Sequence, residues 1–422
     1  MSRPRPDGSA NDIASGQDTV PALPLEGVRV LALEHFIALP CGTNALAALG
    51  AEVIKLEPLE GEQGRGSLPV VEGEDGEGYG SAFVRYSRGK ASIAVDLKRP
   101  EGVDLVKRLV AHVDVFAENL RAGKAAALGL GPSDLMAVNP DLIYASVSGY
   151  GNEGSSPYGD WPAFAPAAEA MAGLPYLAGD TDAPRTSTFG AIIDQVGGLN
   201  AVIGILAALH GRPRNKGGYR VDISLFDTAL QLNEHRVSLA SVGLSPDLGR
   251  SDRNGVVSLF AASDGSFLIA LFRPEHLARL ARLIGAERWQ TDARFAKRDE
   301  WSRHLESEIR PAVERWAKDL TSLEASQALA DIGVAAAPLL DESKILSDPH
   351  VAAREMLGTA AGLTRPVRVV ASPVWLNGLP DRRSRLVPVG NDTERILREI
   401  GFGEEAITRL ADEGVIKGRR GQ

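Results

Sequence analysis

Apolar and polar residues follow two alternating periods in the first half of the chain. Residues 28–34 and 51–57 are short apolar runs that are typical of buried strands. Between them, residues 40–50 place apolar side chains at helical spacing, with Pro40 near the start and Gly50 just past the end, where helix boundaries favour these residues. A strand, a helix and a strand in this order predict a βαβ unit, whose strands pair in parallel through a right-handed crossover.

The same alternation continues along the chain and predicts a larger sheet. Strands that are separated by helices pair in parallel, so we predict an α/β fold built on a doubly wound parallel sheet. Ligands of such a sheet bind at the carboxyl ends of its strands. The further strand patterns lie at residues 91–97, 113–117, 142–147 and 219–225, and the helical patterns at 101–112 and 194–211.

The pattern changes in the second half of the chain. Residues 256–261 and 266–271 are strand patterns on either side of Ser263-Asp264-Gly265, which is a hairpin turn signal. A helix-rich stretch follows, so we predict a smaller α+β domain in this region. A strand pattern at 367–370 and helices near 393–400 and 404–412 then close the chain.

These changes of pattern predict a two-domain organisation. The chain leaves a large domain, builds the smaller one and returns to the first. The predicted divisions are a disordered leader without a signal-peptide core at 1–24, a large Rossmann-like domain at 25–225, a linker at 226–250, the small α+β domain at 251–332, a second linker at 333–350 and a returning C-terminal segment at 351–422.

Composition and charge narrow the possible functions. The chain has 422 residues and one cysteine, Cys41, which excludes an internal disulfide framework and favours a reducing, cytoplasmic setting. The net charge of −9 argues against general nucleic-acid binding, which needs a basic surface. No apolar run approaches the length needed to span a bilayer, so we predict no membrane partner.

The loop after the first strand carries little sign of a redox cofactor. Residues 34–40 lack the G-x-G-x-x-G fingerprint, which disfavours a nicotinamide or flavin enzyme. The sequence also has no H-x-x-x-H or C-x-x-C spacing, and we predict no metal site.

Several segments, taken together and in order, resemble the family III CoA-transferases. This CaiB/BaiF group includes formyl-CoA and carnitine CoA-transferases. The resemblance extends over roughly residues 23–412 and implies a doubly wound sheet, coenzyme A as the group that is carried, and an interlocked dimer in which each chain threads through the other. The matching segments are residues 23–31, 49–57, 90–98, 118–123, 139–146, 349–357 and 390–393.

The resemblance implies that Asp182 is the catalytic residue. In the family, one aspartate shortly beyond a Thr-Gly or similar turn attacks an acyl-CoA thioester, and Asp182 has the matching position within residues 177–184. Its attack yields a mixed anhydride and releases the CoA thiolate, so that CoA moves to a free carboxylic acid in easier steps. The alternative is a turn aspartate, since Gly-Asp-Thr-Asp is also ordinary loop chemistry.

The contacts to CoA are expected in loops next to the predicted strands. Cations there can bind the phosphates of CoA, and Asn119 matches a family position that contacts the cofactor. Arg65 fits a basic residue that follows the second strand in the family. Phe36, Ile37, Leu39 and Phe164 indicate an apolar acyl pocket if they face it. The predicted cofactor-binding residues are His35, Phe36, Ile37, Lys90, Asn119, Leu120, Arg121 and Lys124.

Departures from the family pattern define the alternatives. Phe164 stands where the related α-methylacyl-CoA racemases have a histidine, and phenylalanine cannot move a proton. An acyl-CoA racemase or isomerase is therefore disfavoured, and Asp194, where those enzymes have an aspartate, is expected to cap the helix at 194–211. Ile37 and the missing glycine-rich loop disfavour an oxalate/formate pair. A non-catalytic subunit of a heterodimeric transferase remains the other alternative to a homodimeric enzyme.

Overall fold

The computed structural model describes residues 22–154, 156–178, 184–186, 191–212, 217–244, 255–376 and 383–418. The strands are β1 (Arg29–Leu33), β2 (Glu52–Glu57), β3 (Val70–Glu72), β4 (Gly78–Gly80), β5 (Ala91–Ala94), β6 (Val115–Glu118), β7 (Ile143–Ser148), β8 (Tyr219–Ser224), β9 (Val256–Ala262), β10 (Gly265–Leu271), β11 (Ala335–Pro338), β12 (Leu357–Ala360) and β13 (Val367–Val370). The α-helices are α1 (Ala38–Ala48), α2 (Ser81–Tyr86), α3 (Pro100–Val110), α4 (Lys124–Ala127), α5 (Pro132–Val138), α6 (Ala165–Met171), α7 (Pro175–Ala178), α8 (Ile192–Gly211), α9 (Leu225–Leu232), α10 (Glu234–Ser241), α11 (Pro274–Leu283), α12 (Arg310–Ala317), α13 (Ser322–Asp331), α14 (Glu342–Leu346), α15 (Pro349–Ala353), α16 (Thr393–Glu399) and α17 (Glu404–Asp412).

Six strands form one parallel sheet, as the alternation of strands and helices predicts. Its order is β5-β2-β1-β6-β7-β8, and every neighbouring pair is parallel. From β1, the chain first adds β2 and then β5 toward one edge of the sheet. It then returns to place β6 on the other side of β1, and adds β7 and β8 toward the opposite edge. The order therefore reverses between β1 and β6, which is where a doubly wound sheet opens a crevice at the carboxyl ends of its strands.

Side chains of β1 alternate between two cores on the two faces of this sheet. Val30 and Ala32 belong to a core that also contains residues of α1 and α8. Leu31 and Leu33 belong to the opposite core, which includes residues of α3 and of the C-terminal helices α16 and α17. This alternation with a period of two is what a strand covered on both faces requires.

Helix α8 covers one face of the sheet and crosses α1 at very short range. A Cβ atom at Gly198 would lie 2.3 Å from the carbonyl oxygen of Ala38 in α1, so glycine is needed where the two helices cross. By length and composition α8 could cross a membrane, with a mean hydropathy of 1.8, which corrects the expectation that no run reaches that length. In the structure it packs on α1, β7 and β8.

A separate core lies in the second half of the chain. β10 pairs antiparallel with both β9 and β11, and the β9–β10 hairpin turns where the sequence predicts it. Trp289 and Trp301 are buried against this sheet. The antiparallel pairs β3–β4 and β12–β13 share a small fourth core, which joins the returning segment to the region just after β2.

Candidate active site

A cavity of about 530 Å³ opens at the switch point between β1 and β6. It is built by loops that follow β1, β6 and β7, together with the segment before α6 and the first turn of α8. Six of the eight predicted cofactor-binding residues meet here. They are His35, Phe36, Ile37, Asn119, Leu120 and Arg121.

A second cavity of about 320 Å³ adjoins the first at the ends of β1, β2 and β5. His35 and Leu120 line both cavities. Lys124, a seventh predicted residue, lines the second cavity together with Lys98. The two cavities therefore share a wall, and the second is lined by two lysines and by two acidic residues, Glu60 and Asp96.

Paired hydrogen bonds join the two loops at the switch point. The backbone N–H of His35 donates to Oδ1 of Asn119 at 2.8 Å, and Nδ2 of Asn119 donates to the carbonyl oxygen of His35 at 2.9 Å. The Nδ1 atom of His35 is buried without a hydrogen-bond partner among the described residues. Burial lowers the pKa of the imidazole, so His35 is neutral at physiological pH.

Phe36 has an unusual backbone conformation at the rim of the first cavity. Its φ of 56° lies in the left-handed region, which a bulky side chain rarely adopts. Its N–H donates to Oε2 of Glu62 at 3.3 Å. The residue is 38% exposed. Leu39, by contrast, is fully buried in the core beneath the sheet face and does not line the cavity.

Lys90 lies beneath the site, within a cluster of buried charges. Its Nζ donates to Oε1 of Glu34 at 2.7 Å, to the carbonyl oxygen of Pro40 at 3.0 Å and to Oγ1 of Thr43 at 2.6 Å. Burial lowers the pKa of Lys90 to about 8. The ammonium group is directed into the protein, and Lys90 lines neither cavity.

The buried cluster carries three carboxylates and three cations. Lys55 bridges Glu34 and Glu62, with N–O distances of 3.2 and 3.4 Å. Arg65 binds both carboxylate oxygens of Glu57, at 2.7 and 2.8 Å, so its guanidinium is taken up by the protein. Burial alone would raise the pKa of Glu34, but Lys55 and Lys90 hold it below its ordinary value. The charges therefore compensate one another in a region from which water is excluded. The members are Glu34, Lys55, Glu57, Glu62, Arg65 and Lys90.

Asp194 faces the first cavity from α8. The helix begins at Ile192 with Ala191 as its N-cap, so the expectation that Asp194 caps it is wrong, and Asp194 lies in the first turn. Burial, and secondly the nearby Glu169, raise the pKa of Asp194 to about 6. Phe164, which is 72% exposed, lines the same cavity.

Asp182 lies outside the described residues. The residues on either side of this gap are linked to each other, because the N–H of Arg185 donates to the carbonyl oxygen of Pro175 at 3.1 Å.

Sequence reasoning missed an aromatic wall of the first cavity. Tyr150 follows β7, and Trp161 lies in the segment before α6. The Trp161 ring is 4.9 Å from that of Tyr158 and stands edge-on to that of Tyr150. These aromatic residues are spread along an irregular stretch without periodicity, and only their clustering after the end of β7 could have indicated them.

Three comparisons with known proteins agree with this geometry. The family model for CoA-transferase family III matches residues 25–393. The succinyl-CoA–D-citramalate CoA-transferase of Chloroflexus aurantiacus is 35% identical over 349 residues, which cover 80% of this chain and 83% of that protein. The beta subunit of the succinyl-CoA–L-malate CoA-transferase of the same organism is 31% identical, with 94% and 99% covered. The crystal structure of a CaiB/BaiF family protein from Brucella suis superimposes with a TM-score of 0.79 at 30% identity, covering 90% of this chain and 100% of that one.

Proposed function

This chain belongs to CoA-transferase family III, and from that premise we propose that it moves coenzyme A from an acyl-CoA thioester to a free carboxylic acid. The match of the family model to residues 25–393 carries the proposal. The cavity at the switch point supports it, because this is where open α/β sheets bind their ligands. The buried, unpartnered Nδ1 of His35 is a polar atom that a bound ligand can satisfy there.

The two cavities suit the two ends of an acyl-CoA molecule. Because His35 and Leu120 line both, one extended ligand can pass from the first to the second. The apolar and aromatic walls of the first accept the acyl and pantetheine parts, and Lys98 and Lys124 in the second are placed to attract the phosphates. We leave Lys90 out of these contacts, because three protein oxygen atoms already hold its ammonium group.

Asp182 is the proposed nucleophile of this transfer. Its carboxylate attacks the thioester carbonyl, the C–S bond breaks, and CoA leaves as a thiolate while an aspartyl-acyl anhydride remains. The thiolate attacks the aspartyl carbonyl of this anhydride, which releases the first acid and forms an aspartyl-CoA thioester. The acceptor carboxylate then repeats the two steps in reverse, and no net proton is taken up or released.

Trapping and substitution test this function. The purified protein is incubated with a panel of acyl-CoA donors and carboxylic acids, and hydroxylamine traps an acylated aspartate, which mass spectrometry assigns to a residue. We expect transfer with at least one pair and its loss in Asp182→Asn. The matched control is Asp180→Asn, which removes a neighbouring carboxylate and should retain activity. Full transfer by Asp182→Asn would remove Asp182 from the mechanism.

A second candidate is a subunit that works only beside a different chain. The similarity to a beta subunit of a Chloroflexus enzyme favours this possibility. The same assay distinguishes a subunit from a self-sufficient enzyme. If the purified chain binds CoA but transfers none with any pair of donor and acceptor, it fits the subunit, and the self-sufficient enzyme is contradicted.

The proposed assembly is an interlocked homodimer. An exposed apolar strip on α8 supports an association, because Leu199 and Ile203, one turn apart on this helix, are 48% and 66% exposed. Large apolar side chains that lie together on a surface are typical of contacts between chains.

The proposed domain layout keeps the large domain at 25–225 and the small one at 251–332, with linkers at 226–250 and 333–350. Separate hydrophobic cores support this layout, as does the packing of α16 and α17 on the first sheet. The cytoplasm remains the proposed location, because a single cysteine fits a reducing compartment.

A further inference from the structure

The loop that lines both cavities contains a backbone conformation that its own sequence does not favour. In the described part of the chain, Phe36 and Glu355 are the non-glycine residues with positive φ. A phenylalanine pays a steric cost in this region, so surrounding contacts must hold it there. Neighbouring His35 and Ile37 both face the first cavity, and any relaxation of Phe36 would therefore move both.

The contact that holds Phe36 comes from a buried carboxylate. Oε2 of Glu62 accepts hydrogen bonds from the N–H of Phe36 and from the N–H of Gly64. Oε1 of the same carboxylate lies 3.4 Å from Nζ of Lys55. Glu62 is only 3% exposed, and its own N–H donates to Glu57. Its carboxylate is thus fixed from three directions.

The residue at the start of the loop belongs to the same cluster of charges. Glu34 immediately precedes His35 and binds both Lys55 and Lys90. The loop is therefore held at Glu34 and again at Phe36, with Lys55 common to both attachments. Buried ion clusters often add little to stability. This cluster joins Glu34 and Glu62 through Lys55, so it ties the start of the loop to the carboxylate that Phe36 contacts.

We propose that Glu62 is a positioning residue for acyl-CoA, acting through the left-handed backbone of Phe36 that it holds in place. The inference deepens the proposed function and rests on it. Glu62 lines neither cavity and touches no substrate. Its removal lets the loop relax, which displaces the His35–Ile37 wall that the cofactor contacts.

A double-mutant cycle tests this role. Glu62→Gln should raise KM for the acyl-CoA about tenfold while kcat stays within about twofold, because the loop is displaced but the chemistry is not. In a Phe36→Gly background the same substitution should have less than about a twofold effect, since glycine adopts positive φ without help. Equal effects of Glu62→Gln in the two backgrounds would overturn the proposal. Glu74→Gln, an exposed glutamate nearby in the sequence, is the matched control.

A second comparison leaves the buried cluster intact, in case Glu62→Gln does not fold. Phe36→Ala and Phe36→Gly both remove the ring, but only glycine tolerates the left-handed conformation. We expect the alanine variant to bind acyl-CoA several-fold more weakly than the glycine variant, and equal affinities would contradict the proposal. Calorimetric Kd values make this test independent of turnover. A protein that binds acyl-CoA but transfers no CoA would contradict the proposed function and would leave the role of Glu62 in binding unaffected.

Discussion

Two lysines beside the strands of the sheet have opposite environments. Lys90 precedes β5 and is 3% exposed, with its ammonium group among protein oxygen atoms. Lys124 follows β6 at the start of α4 and is exposed at the second cavity. Both residues are basic, lie near strand ends and were expected to bind CoA. Of the two, Lys124 lines a cavity and Lys90 lines neither cavity.

Substitution separates the two lysines. Lys90→Ala should lower the free energy of unfolding by about 3–5 kcal/mol, because it leaves buried Glu34 with one cation fewer. Lys124→Ala should change it by less than about 0.5 kcal/mol and raise the Kd for CoA roughly three- to tenfold. Urea unfolding and calorimetry measure the two quantities. A stable Lys90→Ala protein with weakened CoA binding would reverse these assignments.

The carboxyl group of Asp194 predicts a dependence of stability on pH. Its pKa of about 6 in the folded protein lies above its ordinary value of 3.8, so the folded state holds a proton that the unfolded state has released between these pH values. The stability that this retained proton gives to the folded state is fully present below about pH 4 and is lost as the pH rises through 6.

Asp194→Asn therefore gains stability relative to the unsubstituted protein as the pH rises. The difference in the free energy of unfolding should be near zero at pH 4 and reach about 1–2 kcal/mol in favour of the variant at pH 7.5, because the amide carries no charge into the cavity wall. Urea unfolding at a series of pH values measures it. A difference that is independent of pH would show that Asp194 has an ordinary pKa.

At the scale of elements, the crossing of α1 and α8 sets the shape of the site. α1 begins immediately after the His35–Ile37 loop, and α8 contributes Asp194 from its first turn. The two helices meet at Gly42 and Gly198, where backbone touches backbone. Their close approach therefore fixes the distance between two walls of the first cavity.

An added methyl group at this crossing should be costly. Gly198→Ala should lower the free energy of unfolding by about 1–3 kcal/mol, because the new Cβ meets backbone atoms of α1 that cannot move aside. Gly66→Ala is the matched control, since a Cβ there meets nothing within 4 Å. Urea unfolding compares the two variants, and equal small effects would mean that α1 and α8 can separate without loss.

At the scale of the whole molecule, the exposed strip on α8 predicts association. A dimer would have a mass about twice the 44.7 kDa of one chain, measured by light scattering. Ile203→Asp places a charge in the strip and should reduce the dimer fraction or lower the melting temperature. Val138→Asp, at the exposed end of α5, should do neither. A monomeric unsubstituted protein would contradict the proposed assembly.

The sequence alone determined the order of elements and, from it, the parallel sheet and the position of its crevice. Those features depend on local periodicity and on the handedness of βαβ crossovers, which neighbouring residues encode. His35 and Arg121 could be placed at the crevice because each follows a strand that ends there, and Asn119 because it matches a family position that contacts CoA.

Only the tertiary structure decided how individual charges are used. Lys90 and Glu62 lie far apart in sequence, and their roles arise because β2, β5 and the β1 loop bring opposite charges together where water is excluded. The N–H of Phe36, in its left-handed turn, also donates a hydrogen bond to a carboxylate 26 residues away. Whether a charged side chain is buried, and which partner it has, depends on segments that are distant in sequence. A local sequence pattern therefore cannot predict either property.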